Sequence, residues 1–395
     1  MTRVLVAGGG VAALEAILAL RDLAEERVSI ELVAPEPQFW YRPLAVLEPF
    51  GMGTVHGIEL VEIAESCGAG FTLDAVVSVD ADAHVARTRA GAEFEYDAFV
   101  LASGARPERA VHGAFTFRGP ADTTAFRNLL TEIQAGAVRH LVFTVPGGAS
   151  WPLPLYELAL LATTFLAERH LVGVETTIVT PEDRPLALFG AGASAAVARM
   201  LAERGIELVT GRYPVEAAHG ELTLAPSGTV LADLVVALPR LRGEPLDGIP
   251  HDADGFVPTD PHGRIAGLDD AYAAGDVTTF PVKQGGLAAQ QARAVAEVIA
   301  AEAGAPVTPQ SFHPILRGLL LTGGEPAYLR TDLSRGPRHT TIAQGEPIWW
   351  PPGKIVGRHL APYLAERGDV VLAPPAGTTG VAVEVDLSTP LAVKY

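Results

Sequence analysis

The start of the chain carries residues on the spacing of a phosphate-binding turn. Gly8, Gly10 and Ala13 form a G-x-G-x-x-A pattern between a short apolar run and a helix-forming run that begins at Val11 and Ala12. Gly8 allows a tight turn, Gly10 lets a pyrophosphate approach the backbone, and Ala13 lets the helix pack closely on the strand. The unpaired N–H groups at the helix start would face the phosphates. The stretch predicts a dinucleotide site, with a plain tight turn as the alternative.

Three later stretches belong with this turn. A buried strand, Ala98–Ala102, ends in a sharp turn, another strand ends in Gly-Asp, and a long helix then runs to about Ala303. Their notable residues are Ala102, Ser103, Gly104 and Arg106 in the turn, Gly275 and Asp276 at the strand end, and Lys283, Gly286 and Leu287 at the helix start. Each motif alone is weak, but their order along the chain is specific.

Two features follow the second predicted strand, Val28–Ala34. Glu36 stands where an acidic residue binds the adenosine ribose in dinucleotide folds, although an exposed turn carboxylate is the alternative. The loop Phe39–Leu44 then joins three aromatic residues to Arg42 and Pro43. Loops tend to be polar. These aromatic side chains therefore either wedge the loop against the core or form a wall beside a flat cofactor, with Arg42 near its phosphates.

In this order and spacing, the chain resembles the two-dinucleotide-domain flavoproteins of the pyridine nucleotide–disulfide oxidoreductase superfamily. Within it, the chain is similar to the group of sulfide:quinone oxidoreductases, flavocytochrome c sulfide dehydrogenases and type II NADH dehydrogenases. The loop Phe39–Leu44 and the segment Pro281–Gln291 carry this likeness. The resemblance implies an FAD-dependent oxidoreductase and FAD as its cofactor.

The resemblance also assigns residues to FAD. The glycine turn would hold the pyrophosphate and Glu36 the adenosine ribose, with Val77 beside the adenine through its backbone. Ala102, Gly104 and Arg106 would line the cofactor, with Asp276, Lys283, Gly286 and Leu287 around its flavin end. A helix N-terminus there would stabilise the negative charge that a reduced flavin gathers near N1 and O2.

Two departures from that group bear on the reaction. Sulfide oxidation in the group uses paired cysteines beside the flavin, whereas Cys67 is the only cysteine here. At a predicted helix end, we expect it to be a buried, inert thiol. The second glycine turn, Pro146–Pro154, keeps Gly147 and Gly148 but contains Trp151 and further prolines. Proline has no N–H to donate, so the turn predicts against ordinary NAD(P)H binding.

The candidates for catalysis are Lys283, Trp349, Trp350 and Lys354. The C-terminal domain of the relatives closes over the reactive face of the flavin, and the last three candidates belong to that domain. The tryptophans would shape a substrate or acceptor pocket, or else act as packing wedges in a proline-rich loop. Lys354 would contribute charge. No metal site is predicted.

Alternating strands and helical runs predict an α/β fold. We expect two Rossmann-like dinucleotide-binding units, the first split around the second, and a small α+β C-terminal domain. The boundaries are 1–120 and 251–310 for the first unit, 121–250 for the second, and 311–395 for the C-terminal domain. Finer expectations are an Asp122 cap on a helix over Thr123–Ile133, a hairpin about Gly323-Gly324, a short helix over Ile355–Glu366, and extended chain from Val370 to Tyr395.

Composition limits the partners. The chain has 395 residues, of which 48% are hydrophobic and 19% charged, so it can bury a large core. Its net charge of −17 argues against nucleic acid and against an anionic membrane surface. With no predicted signal peptide or transmembrane run, we expect a cytoplasmic protein without stable membrane binding. A homodimer is compatible with the sequence.

The leading expectation is a soluble FAD-dependent oxidoreductase that passes hydride or electrons between a small-molecule donor and an acceptor, without a cysteine relay. One alternative is an NAD(P)H:acceptor reductase, of quinone type, with an altered nicotinamide site. Another is a protein that keeps FAD for structure or binding and does not turn over.

Overall fold

The first sheet is parallel and draws its strands from two separated parts of the chain. The computed structural model describes residues 1–336 and 340–368. The strand order is Ala271–Ala273, Ala98–Leu101, Thr2–Ala7, Val28–Ala34 and Gly70–Leu73, and every neighbouring pair is parallel. The central strands are almost wholly buried, as in parallel sheets that helices cover on both faces. The chain order reverses at Thr2–Ala7, and the carboxyl end of such a strand is where open α/β sheets bind ligands.

A second parallel sheet lies between these two parts in the sequence. Its order is Phe115–Thr116, Leu234–Ala237, His140–Thr144, Glu175–Val179 and Ile206–Val209. Here the order reverses at His140–Thr144, immediately before the second glycine turn. The fold class is therefore confirmed, because two Rossmann-like sheets are present and the first is interrupted by the second. The exact domain boundaries stay a prediction.

Other strands form short antiparallel sheets outside the two parallel sheets. Their strands are Gln38–Trp40 with Gly57–Glu59; Val76–Asp80, Val85–Thr88 and Glu93–Glu95; Arg106–Glu108 with Arg240–Arg242; Tyr213–Ala218, Glu221–Ala225 and Thr229–Leu231; and Ile315–Leu320, Ala327–Asp332 and Thr340–Gln344. The last group contains the predicted C-terminal hairpin and adds a third strand to it.

The helices cover the two sheets. They are α1 (Val11–Ala24), α2 (Leu60–Ser66), α3 (Thr123–Gln134), α4 (Leu153–Glu168), α5 (Gly190–Glu203), α6 (Gly285–Glu302) and α7 (Leu360–Glu366). Helices α1 and α6 pack closely together. A Cβ placed on Gly275 would lie 3.0 Å from the Cβ of Ala12 in α1 and 3.4 Å from that of Ala288 in α6. The Gly-Asp strand end at Gly275 and Asp276 thus lies next to the starts of both helices.

A 3-10 helix, Arg42–Phe50, joins the two units. Its last residue, Phe50, stacks edge-on against Phe126 of α3 at 5.6 Å and Phe165 of α4 at 5.9 Å between ring centroids. Aromatic pairs of this geometry add to the burial of their apolar surface. The loop that carries Arg42 and Pro43 is therefore anchored between the two sheets.

The predicted helix over Ile355–Glu366 is shorter than expected, because α7 begins at Leu360. The buried carboxylate of Glu15 in α1 accepts hydrogen bonds from the backbone N–H groups of Arg358, His359 and Leu360. These bonds fix the chain before α7 in a non-helical path, since one carboxylate takes the donors of three successive residues. The extended segment predicted for Val370 to Tyr395 lies outside the described residues.

The predicted cap on α3 is wrong. Asp122 occupies the position before the helix, but its carboxylate makes no bond to the helix N–H groups. It instead accepts from the backbone N–H and the guanidinium of Arg118, at 2.6 to 2.9 Å. Both carboxylate oxygens of Asp122 bind the Arg118 guanidinium in place of the helix N–H groups, and such a two-point pair is favoured in geometry as well as in charge.

Candidate functional site

Three neighbouring strands of the first sheet bring predicted site residues to one edge. Gly8 and Gly10 follow Thr2–Ala7, Ala102 to Gly104 follow Ala98–Leu101, and Gly275 and Asp276 follow Ala271–Ala273. Gly8 has a φ of +132°, and a Cβ there would lie 2.3 Å from the carbonyl oxygen of Ala102. Only glycine fits this contact. A Cβ on Gly10 or Gly104 would meet nothing within 4 Å, so the backbone there is open to a ligand.

The start of α1 faces this edge with unused donors. Gly10 precedes the helix in an extended conformation, and no side chain caps the helix there. The carbonyl of Gly10 accepts the first helical hydrogen bond, from the N–H of Leu14 at 3.1 Å. The N–H groups of Val11, Ala12 and Ala13 therefore have no acceptor within the helix. Glu36 is exposed just past the adjacent strand, Val28–Ala34.

A cluster of charges lies where the first sheet meets α6. Burial raises the pKa of the Asp276 carboxyl to about 6, although the positive charges of Lys283 and Arg42 oppose the rise. Burial also lowers the pKa of the Lys283 amine to about 8, opposed by Asp276 and Asp252. The Lys283 Nζ donates to the carbonyl of Thr278 and lies 3.7 Å from the centroid of the Phe256 ring. Both groups can thus change protonation near neutral pH.

The start of α6 is capped by a side chain that the sequence analysis did not single out. The amide oxygen of Gln284 accepts from the N–H of Leu287 at 2.9 Å, and its amide nitrogen donates to the carbonyl of Arg317 at 3.2 Å. The Leu287 N–H is therefore already used within the protein. Gly286 stays buried at the helix start with its N–H free for another acceptor, since the first N–H groups of a helix have none inside it.

A cavity of about 480 Å³ opens beside this cluster. Its lining comes from both units and from the C-terminal segment, and includes Arg42, Pro43, Trp151, Asp276, Lys283, Gln284, Gly285, Arg317, Lys354 and Ile355. Apolar side chains form most of the remaining wall, with a few converging charged groups. That combination is typical of small-molecule sites.

A buried ion pair forms part of the wall. The Nζ of Lys354 lies 2.6 Å from Oε2 of Glu157 in α4, and the two side chains are 6% and 0% exposed. Lys354 also donates to the carbonyl of Pro43 at 2.9 Å, and the N–H of Leu321 donates to Glu157 at 2.8 Å. Burial raises the pKa of Glu157 and lowers that of Lys354. The pair thus ties α4, the Arg42 loop and the C-terminal segment together around the cavity.

The aromatic loop divides its residues between two roles. Phe39 and Tyr41 are buried in the core, and the Tyr41 hydroxyl accepts from the N–H of Ile355 at 2.8 Å. Arg42 and Pro43 instead line the cavity. The wedge interpretation therefore holds for two of the aromatic side chains.

Other predicted residues lie apart from the cavity lining. Val77 is 41% exposed at a bulge of an antiparallel strand. Arg106 has a side chain 63% exposed and pairs with Glu108 at 2.6 Å. Trp349 packs edge-to-face against Tyr328, with ring centroids 5.0 Å apart. Trp350 is 82% exposed, and Ser103 is also on the surface. Packing explains Trp349, so of the four catalytic candidates only Lys283 and Lys354 line the cavity.

The second glycine turn differs from the first in its donors. Pro152 precedes α4, Pro154 stands in its first turn, and the N–H of Leu155 is bonded to the carbonyl of Pro152. The carbonyl of Gly147 accepts from Arg240 at 3.1 Å. The ring of Trp151 packs beside that of Phe189, with centroids 6.0 Å apart. Of the first three positions of α4, only Leu153 keeps an N–H without an acceptor, whereas α1 keeps three.

The acidic residue after the next strand of this unit is also engaged. The Glu182 carboxylate accepts from the hydroxyls of Tyr156 at 2.8 Å and Thr180 at 3.1 Å, and from the N–H of Ala187 at 3.0 Å. Burial raises its pKa. A carboxylate at this position usually serves a nucleotide ribose, but here it holds the protein's own groups.

Cys67 is buried at the end of α2, as predicted. Its Sγ lies 3.3 Å from the carbonyl oxygen of Ala64, and burial raises the pKa of the thiol. A raised thiol pKa lowers the thiolate fraction and hence reactivity. Within residues 1–336 and 340–368, no group of three His, Cys, Asp or Glu side chains could hold a metal ion.

Sequence reasoning missed Glu157, Gln284 and Arg317. Glu157 carried a usable signal, because it is a lone charge within the apolar run of α4 and such a charge needs a buried partner. Arg317 carried none, since one arginine in a hairpin strand is ordinary.

No helix of the described residues is long and apolar enough to cross a membrane.

Comparisons with known proteins agree with this architecture. Residues 2–297 match the family described as pyridine nucleotide-disulphide oxidoreductase. A NADH dehydrogenase-like protein of Mycobacterium tuberculosis is 27% identical over 310 residues, which are 70% of this chain and 73% of that one. The sulfide-quinone reductase of Aquifex aeolicus is 26% identical over 217 residues, covering 52% of this chain and 50% of its own length.

The solved structure of the sulfide:quinone oxidoreductase from Aquifex aeolicus has a similar fold. It superimposes with a TM-score of 0.79 at 20% identity, over 93% of this chain and 90% of that one. At this identity, the likeness concerns the fold. It extends beyond the family match into the C-terminal segment that carries Arg317 and Lys354.

Proposed function

Because the chain belongs to the pyridine nucleotide-disulphide oxidoreductase family, we propose that it is an FAD-dependent oxidoreductase that works without a cysteine relay. It would transfer hydride or electrons between a small-molecule donor and an acceptor. One observation carries the proposal. The turns at Gly8–Gly10, Ala102–Gly104 and Gly275–Asp276 converge at one sheet edge, beside a cavity large enough for a small substrate.

The residues at this edge fit FAD. The backbone at Gly10 is open, while α1 presents N–H groups without helical acceptors, which suits a pyrophosphate. Glu36 is free to accept from a ribose hydroxyl, and Asp276 offers a carboxylate near the cavity. Arg42 adds a cation on the same side. The exposed positions of Val77 and Arg106 give those two assignments less support.

When bound, FAD would supply the two-electron carrier. The chain's own groups would manage protons and access. Lys283, with its pKa near 8, can hold or release a proton at the cavity wall. The pair of Lys354 and Glu157 holds a further exchangeable proton in a site shielded from water. A proton donor matched to neutral pH is what general acid catalysis requires.

The second glycine turn supports a donor other than NAD(P)H. Its prolines remove N–H groups, Trp151 occupies space beside the turn, and Glu182 is taken by Tyr156. The opposing candidate is an NAD(P)H:acceptor reductase, which the name of the Mycobacterium tuberculosis relative favours. Gly148 and Trp151 line the cavity. In this alternative function, the nicotinamide would therefore bind there in an altered way.

Rapid mixing separates these functions. The FAD-loaded protein is mixed with NADH or NADPH under argon, and flavin absorbance is followed. The proposal predicts no bleaching on the timescale of turnover, whereas fast bleaching by either nucleotide would establish the reductase instead. In a second arm, dithionite-reduced protein is mixed with a panel of quinones. Reoxidation by none of them would favour a flavoprotein without turnover.

A further inference from the structure

Arg317 is a cation at the cavity without a partner in the described residues. It lies on the strand Ile315–Leu320 and lines the cavity with Gly318 and Leu319. Its guanidinium makes no hydrogen bond or ion pair within residues 1–336 and 340–368, and its Nε is fully enclosed. Its backbone carbonyl accepts a hydrogen bond from the side chain of Gln284. Buried polar groups of folded proteins nearly always have partners.

The surroundings make this charge costly. Burial lowers the pKa of Arg317 to about 10, and the like charge of Arg330 adds to the effect. Arg330 stands directly opposite on the neighbouring strand of the hairpin. A guanidinium that is partly desolvated and faces a like charge gains strongly from an anion.

Three of the other four cations that line the cavity already have partners. Arg118 is paired with Asp122, and Lys354 with Glu157. Lys283 bonds a backbone carbonyl and interacts with the Asp276 charge. Arg42 is exposed, and under the proposed function we assign it to the FAD pyrophosphate. These assignments leave the Arg317 guanidinium for the substrate.

The walls beside Arg317 are apolar. Leu153 and Leu319 line the cavity, and the side chains of Leu153 and Phe189 press so closely on Gly318 that a Cβ there would lie 2.8 Å from each. Trp151 adds an aromatic face. An aromatic or aliphatic body would bury its surface here while an anionic head reached the arginine.

We propose that Arg317 binds the anionic group of the substrate, which is a small organic molecule with an apolar body and a carboxylate or similar oxyanion. The planar guanidinium suits such a group because it donates two parallel N–H bonds. The proposal rests on the proposed function for the redox role of the cavity. The binding of the anion itself does not depend on that role.

The test compares naphthoquinone sulfonate with unsubstituted naphthoquinone as probes. Their dissociation constants are measured on the FAD-loaded protein through perturbation of the flavin spectrum at fixed ionic strength, and by calorimetry. We expect the wild-type protein to prefer the sulfonate by roughly tenfold or more, and Arg317→Met to lose that preference. Arg317→Lys should keep part of it. Methionine removes a desolvated charge, so the variant is expected to fold.

Arg330→Met is the matched control, because Arg330 is the cross-strand neighbour but does not line the cavity. It should change the preference by less than about threefold. Equal loss in both variants would show a general electrostatic field and overturn the proposal. An unchanged preference in Arg317→Met would also overturn the proposal. A variant that shifts only the flavin reduction potential would overturn it too, because the arginine would then act on the flavin. Inorganic sulfate that competes as strongly as the sulfonate would reduce the site to simple anion binding and also contradict it.

Failure of the proposed function gives a different result. A chain that takes up no FAD would end the redox interpretation, while calorimetry on the same chain would still show whether Arg317 selects the sulfonate.

Discussion

The buried pair of Lys354 and Glu157 gives the sharpest prediction about stability. We consider Lys354→Met, which removes the cation but keeps most of the side-chain volume. Glu157 would be left fully buried, with only the N–H of Leu321 as a partner. Removing one member of a buried ion pair costs about 3–5 kcal/mol, because the remaining charge is uncompensated. The retained bond from Leu321 places the expected loss near the lower limit, at about 3 kcal/mol.

The pH dependence follows from the sign of the Glu157 shift. Burial already raises the pKa of Glu157, and the loss of the neighbouring cation raises it further. A carboxyl group with a raised pKa in the folded state binds more protons there than in the unfolded chain. Stability therefore falls as pH rises through that range, and the deficit of Lys354→Met should be larger at about pH 8 than at about pH 5.

Urea unfolding of the FAD-loaded protein, followed by circular dichroism, measures these differences. The control is the double variant Glu157→Gln/Lys354→Met, in which the glutamine oxygen can still accept from Leu321. It removes both charges and should recover about 2 kcal/mol of the loss, as expected for strongly coupled neighbours. Equal midpoints for Lys354→Met and wild type at neutral pH would refute the reasoning, and so would a double variant no more stable than Lys354→Met.

Three further predictions concern the first unit. Gly8→Ala should destabilise the protein by about 2–3 kcal/mol and abolish FAD retention, because the new Cβ would lie 2.3 Å from the carbonyl oxygen of Ala102. Thermal unfolding measures the stability and flavin content measures the retention, and a stable yellow variant would contradict the turn geometry. Asp276→Asn should weaken FAD binding by roughly tenfold, as measured by equilibrium dialysis. The FAD affinity of the wild-type protein should decrease when the pH is lowered below about 6, because this carboxyl is then protonated. An affinity that depends neither on pH nor on the substitution would exclude a role for Asp276. Cys67→Ala should leave the rate at which a quinone reoxidises the flavin unchanged, because the thiol is buried and its pKa is raised. A large loss of this rate in a folded variant would instead indicate a mechanism that uses the thiol.

The first unit could be predicted from the sequence because its signals are local. A strand, a glycine turn and a helix follow one another at Gly8 to Ala13, and the parallel sheet then brings Ala102 and Asp276 to the same edge. Each turn is encoded within a few residues. Their convergence follows from the strand order, which the resemblance to a known superfamily supplied.

The walls of the cavity depend on contacts that no local pattern encodes. Lys354 and Glu157 are 197 positions apart, and only the folded chain pairs them. The carboxylate of Glu15 decides that α7 begins at Leu360, although the sequence from Ile355 onward reads as helical. Asp122 has a suitable position for a cap, yet its ion pair with Arg118 prevails. A side-chain contact overrode local propensity in each case, at long range for Glu157 and Glu15 and over four positions for Asp122.

The proposed function depends on FAD binding at the sheet edge that carries Gly8. The most direct measurement is the flavin content of the purified chain, before and after incubation with FAD, with the released flavin identified by chromatography. We predict a yellow protein that retains its flavin through gel filtration and whose released flavin is FAD. A colourless chain that takes up no FAD, or one that retains only a mononucleotide flavin, would contradict it.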